Sequence, residues 1–257
     1  MAYVGRRFAH AGVVLALALS ACSRTGPAQD IDVGSMRISA RVPEHSEVKA
    51  EKDGVAILVP TERPSMLHEL PVIHLRDLGP VTPEGLHREM SGLREQWLQG
   101  QGAAVQARMK ALTPVHFLLR VPLLSRDFSI AWQRLLTASK DAPYDQVAAY
   151  FTTMLGTLDQ SLALEMPAIT DWALPYVEPR TRREIASRKL ISVDKREAEE
   201  IETRDQVNDN GPRRLLFVVN DGHLLVVWSG IYDQDKSLDA YETLRSSIRF
   251  PKSEGKK

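Results

Sequence analysis

The chain has 257 residues, 43% of them hydrophobic and 26% charged, with 33 basic and 33 acidic side chains. This is the composition of an ordinary globular protein and excludes a disordered or membrane-embedded one. The charge balance speaks against a nucleic-acid binder, which needs a basic face to displace counterions from phosphate. A single cysteine, Cys22, excludes an internal disulfide, so the fold must stand on its hydrophobic core.

In chain order, Arg6 and Arg7 precede an apolar run from Ala11 to Ala21 that ends in Leu19-Ser20-Ala21-Cys22. A basic start, a short apolar stretch and small residues before a cut form the pattern of a secretory signal. The tetrapeptide resembles the lipobox of bacterial lipoproteins. That resemblance implies removal of residues 1–21, acylation of the Cys22 thiol and attachment to a membrane. The remaining 236 residues carry 31 basic and 33 acidic groups, net −2. Gly5 before the arginine pair and Phe8-Ala9 after it do not fit a twin-arginine signal. In a Gram-negative cell, aspartate after the acylated cysteine retains a lipoprotein in the inner membrane; Ser23 stands there instead, so for a Gram-negative protein the resemblance implies the outer membrane, facing the periplasm. No later segment reaches the ~18–20 apolar residues of a spanning helix.

Residues 22–35 read as the acylated cysteine and a flexible tether, because Ser23 to Gly34 is polar and shows no apolar period. A single α/β domain is predicted over 36–250. Met36 to Val42 alternates apolar and polar residues, as a half-buried strand does. Val48–Glu51 and Val55–Val59 flank Asp53-Gly54, a hairpin signal, and Pro71–Leu75 reads as a further strand. Thr82-Pro83-Glu84 opens a helix as N-cap, N1 and first-turn acid, with Leu86, Met90, Leu93 and Trp97 on one face and Gly100 and Gly102 at its end. Val105–Lys140 is broken by Pro114 and Pro122, and Phe128–Thr137 fits helix or strand. Tyr144–Leu164 reads as a long helix. Pro167–Pro179 reads as a proline-rich loop holding Trp172 and Tyr176, whose rings are candidates either for partner binding or for core cover.

Lys189–Val193 and Glu199–Arg204 read as strands. The carboxylates of Glu197, Glu199, Glu200 and Glu202 suggest a solvated edge strand. Arg214–Val219 and Leu224–Trp228 join through Asp221-Gly222, a type I′ hairpin signal. Both are apolar on successive residues, so each needs cover on both faces. A helix over Ser237–Ser247 can cover one face and the helices between 82 and 165 the other. The expected fold is therefore α/β (α+β), an antiparallel sheet sandwiched by helices. Residues 251–257 read as a loose tail.

The apolar hairpin, the last helix and the Ser247–Phe250 strand resemble the PsbP-like superfamily, which includes bacterial lipoproteins of the LpqN type. So does the Val193-Asp194-Lys195-Arg196-Glu197-Ala198 turn. The likeness covers residues 185–250 and, more faintly, 36–76. It implies a binding or assembly module with no shared catalytic site, and residues of about 100–180 stand apart from it as a helical insert.

No Gly-x-Ser-x-Gly elbow is present; a Ser-His-Asp triad drawn from distant residues is recognised only by geometry. His68-Glu69 and His74 lack the His-Glu-x-x-His spacing of a zinc site. Asn208-Asp209-Asn210-Gly211 departs from a calcium loop at Gln206 and Phe217 and reads as a turn. Gly100-Gln101-Gly102 reads as a helix end and not as a phosphate loop. The sequence therefore predicts no cofactor, no metal and no catalytic residue. It predicts a lipid-anchored accessory that meets the membrane through Cys22 and binds a protein partner. The alternative is a lipid-anchored hydrolase built around His68, His74 and the carboxylates.

Overall fold

The computed structural model describes residues 25–251 apart from 52–53, 61–71, 113–125, 140–141, 162, 178–182, 206–211 and 230–233. The described strands are β1 (Thr25–Val33), β2 (Met36–Pro43), β3 (Glu47–Glu51), β4 (Gly54–Leu58), β5 (Val72–Pro80), β6 (Arg183–Val193), β7 (Arg196–Asp205), β8 (Pro212–Asn220) and β9 (His223–Ser229). The described helices are α1 (Pro83–Leu98), α2 (Gly102–Ala111), α3 (Arg126–Thr137), α4 (Tyr144–Leu158), α5 (Met166–Val177) and α6 (Gln234–Ser247).

Seven strands form one antiparallel sheet in the order β3-β4-β5-β9-β8-β7-β6, and β1 and β2 pair as a separate hairpin. Successive apolar residues of the central hairpin divide between two cores, as strand geometry requires. Leu215, Phe217, Leu224, Val226 and Trp228 enter a core with α1 to α5. Leu216, Val218, Leu225 and Val227 enter a second core with the β1–β2 hairpin and α6. The protein is thus an α/β fold with helices packed on an antiparallel sheet.

The sequence of α1 sets its start. The Thr82 side chain accepts from the Gly85 amide, Pro83 needs no donor at N1, and Leu86, Met90 and Leu93 are buried. Its end and the next start differ from the expectation: Gly100, at φ +81°, follows α1, whereas Gly102 opens α2.

Four further expectations are corrected. Residues 25–33 are not a tether. They pair with β2 from Thr25↔Pro43 to Val33↔Met36, and Ile31 and Val33 are buried with Ile38 and Ala40. The segment is a strand because its end alternates, with Asp30 and Asp32 outward and Ile31 and Val33 inward. Pro167–Pro179 is not a loop: Met166–Val177 is helical, with Pro175 inside it. Met166, Ile169, Trp172 and Ala173 recur at helical spacing and are buried. Glu197–Glu202 is not on an edge strand, since β7 lies between β6 and β8. Two of its carboxylates are held by neighbouring arginines and a tyrosine: Glu199 by Arg188 at 2.9 Å, and Glu200 by Tyr241 at 3.0 Å and Arg245 at 3.3 Å. Finally, Glu51 pairs with Gly54, so Gly54 is a strand residue and not the second residue of the turn. Arg126–Thr137 resolves as helix, and Tyr144–Leu158 ends before Leu164. Leu238 on α6 is half-buried while Tyr241, Leu244 and Ile248 are fully buried.

Candidate functional site

Where the two covers meet around one end of the sheet they leave a cleft of about 980 Å³. One wall is a face of α1: Gly85, Arg88, Glu89, Gly92 and Gln96. The opposite wall is the end of the β1–β2 hairpin and the Arg249–Pro251 segment, and the β8–β9 turn with His223 forms the floor.

Tight turns build this end of the molecule. Asp221 and Gly222 have φ of +50° and +79°, the backbone a type I′ hairpin demands. A Cβ on Gly222 would lie 2.4 Å from Gly85 Cα, so the turn packs directly on the first turn of α1. The Gly222 carbonyl accepts from Val81 N at 2.7 Å and Thr82 N at 3.3 Å. At the β1–β2 turn Gly34 has φ +61°, and a Cβ there would lie 2.7 Å from Asp77 Cβ. That contact sets Ser35 beside Asp77.

Three residues remote in sequence converge at this point. Ser35 donates to Asp77 Oδ2 from its amide at 2.9 Å and from its hydroxyl at 2.5 Å. Ser35 Oγ lies 3.1 Å from His223 Nδ1, and Asp77 Oδ1 lies 3.4 Å from the same nitrogen. Asp77 Oδ1 also accepts from Gly79 N at 2.7 Å. Burial pushes the Asp77 carboxyl up, but the bonds from His223 and Ser35 outweigh it and hold the group below its ordinary value. An ionised Asp77 only accepts, and the Ser35 hydroxyl hydrogen is committed to it. His223 Nδ1 is therefore the donor.

This is not the geometry of a nucleophile relay. A relay sets the carboxylate on one imidazole nitrogen and the hydroxyl on the other. Here both meet Nδ1, and the Ser35 hydrogen points to the carboxylate. The trio clasps the β1–β2 turn to β5 and β9. It also orients the His223 ring through Nδ1.

Most charged groups of the cleft already have partners. Arg37 pairs with Asp30 at 2.7 Å, and Glu89 with Arg108 at 2.7 Å. Arg88 donates to the Asp221 carbonyl, and Arg249 to the Ile248 carbonyl at 2.7 Å. A Cβ on Gly92 would meet nothing within 4 Å, so this residue keeps the cleft wide.

Of the residues singled out in the sequence, His74, Trp172 and Tyr176 do not line the cleft. His74, on β5, stacks on Trp228 with ring centroids 5.1 Å apart and lies 3.4 Å from Glu51. Burial holds its imidazole below the ordinary value despite Glu51. Trp172 is only 8% exposed and packs in the helical core, whereas Tyr176 beside it is 42% exposed. Cys22, His68, Glu69 and residues 208–211 lie outside the described residues. Among the described residues no group of three or more His, Cys, Asp or Glu could hold a metal, and no helix is long and apolar enough to cross a membrane. Sequence reasoning missed Ser35, Asp77 and His223. Only the turn signals Gly34-Ser35 and Asp221-Gly222 mark two of them, and neither reveals that the two turns meet. No known protein family and no curated protein matches the chain.

Proposed function

We propose that the protein is a lipid-anchored, periplasm-facing envelope protein that binds a partner in the cleft without transforming it. The lipobox-like Leu19–Cys22 supports the anchor, and the resemblance to the PsbP-like superfamily agrees with a binding module. The observation that carries the binding role is the clasp. Ser35, which lines the cleft, and Asp77, whose side chain is buried behind it, both engage His223 Nδ1, so the Ser35 hydroxyl is not activated as a nucleophile. Trp172 serves as core cover in this reading, and Tyr176 stays accessible beside it.

One observation favours a second reading. Asp77 engages His223 at Nδ1, and no partner holds Nε2 among the described residues, so a neutral imidazole there has the arrangement of a general base acting on water. That would make the protein a hydrolase, with its site at His223 and not at His74.

Filling the cleft tests the first reading. Gly92→Trp projects a large ring into open space from a helix wall, so the fold should survive it. Cross-linking with the acylated protein should capture a partner that Gly92→Trp loses and Tyr176→Ala retains. Turnover on a panel of ester, amide and glycoside substrates that disappears in His223→Ala would overturn this reading in favour of the hydrolase.

A further inference from the structure

We infer that the protein stands on the bilayer by the sheet end that carries Thr25 and the 43–47 turn, and so holds its cleft away from the membrane. The inference rests on the lipid-anchor reading. Its new element is the surface that meets the lipid.

Only Ser23 and Arg24 separate Cys22 from Thr25, the first described residue, which pairs with Pro43. Three extended steps of chain reach at most ~11 Å. The headgroup layer on one side of a bilayer is itself ~5–8 Å thick. An acyl chain on Cys22 therefore leaves Thr25 in or just above the headgroups, with no slack for the domain to turn over. Thr25 pairs with Pro43, and four residues later the chain enters β3 at Glu47. Glu47 pairs with Leu58, and Leu58 with Val72. These strand ends share one end of the sheet, with Glu44 exposed in the turn.

The cleft belongs to the other end. The β1–β2 turn is fixed there by Asp77, near the close of β5, and Pro80 pairs with His223 at the β8–β9 turn. Eight residue steps separate Thr25 from Val33, ~27 Å at strand rise. A partner that enters the cleft therefore approaches from the aqueous compartment and not from the lipid side.

The test uses the full acylated protein in phosphatidylethanolamine–phosphatidylglycerol vesicles containing a headgroup-level nitroxide lipid. The Cys22 thiol is blocked by its thioether, so Glu44→Cys and Asp32→Cys each supply one reactive thiol for a fluorophore. Both positions are exposed, Asp32 with 84% of its side chain in solvent and beside the β1–β2 turn. Matched melting curves with the parent protein show that both variants fold. The label at residue 44 should be quenched severalfold more strongly than the label at residue 32. Equal quenching, or stronger quenching at 32, in a sample whose N-terminal peptide is acylated overturns the orientation while the anchor stands. An unacylated N-terminal peptide removes the anchor and the orientation with it.

Discussion

The two covers of the sheet are built in opposite ways. The helical cover comes from one continuous stretch, α1 to α5, and buries Leu86, Met90, Phe128, Phe151 and Met154 at helical spacing. The other cover is assembled from the two ends of the chain. Strands β1 and β2 lie beside α6, and Ser39 and Arg249 exchange backbone hydrogen bonds, both at 2.8 Å. The first cover is local and rests on periodicity; the second exists only once the sheet is there to receive both ends. The cleft forms where they meet, so it depends on both.

Replacing one buried residue in each cover is the harshest test of this comparison. Phe151→Ala should cost ~3–5 kcal/mol and Ile38→Ala ~2–5 kcal/mol in denaturant unfolding. Both residues are fully buried. Wild-type stability in Ile38→Ala would mean that residues 25–43 add nothing to the core, and the second cover would have to be discarded.

The clasp joining the β1–β2 turn to the sheet should be worth less. Asp77→Asn leaves Ser35 and His223 without a charged acceptor and should cost ~1–3 kcal/mol at neutral pH. The pH dependence has a definite sign. Because the folded carboxyl lies below its ordinary value, the unfolded chain takes up this proton first. The stabilisation is thus full above about pH 4 and is lost as pH falls from there through the folded value. Asp77→Asn should lack that component of acid destabilisation. A variant whose unfolding free energy tracks wild type at every pH would show that the clasp does not hold the turn.

The smallest effect concerns the cleft wall. Gly92 sits inside α1 with open space around it, so Gly92→Ala should stabilise by up to ~1 kcal/mol through helix propensity alone. Destabilisation would show that a neighbour fills the space assigned to the cleft.

The first helix of the helical cover and the central strands are well legible in the sequence, because local signals fix them. Thr82-Pro83-Glu84 caps α1, Asp221-Gly222 makes the turn it suggests, and the unbroken apolar runs of β8 and β9 demand cover on two faces. It revealed the other cover poorly. Residues 25–33 carry Gly26-Pro27 near their start and reach an apolar alternation only at Ile31 and Val33, too short a run to outweigh the polar stretch before it. Within the helical cover, Pro167 and Pro175 mask the helical spacing of Met166, Ile169 and Ala173, so the segment holding Trp172 reads as a loop. The candidate site was not legible at all. Ser35, Asp77 and His223 meet only through the packing of one hairpin on another, and no spacing along the chain encodes that meeting.

The claim beneath both the membrane attachment and the orientation is that Cys22 is the first residue of the working protein and carries lipid. The mass of the N-terminal peptide from membrane-purified protein tests it most directly. The account predicts a peptide that begins at Cys22 and bears acyl chains on it. A peptide that retains residues before Cys22, or one with an unmodified Cys22 thiol, would contradict it.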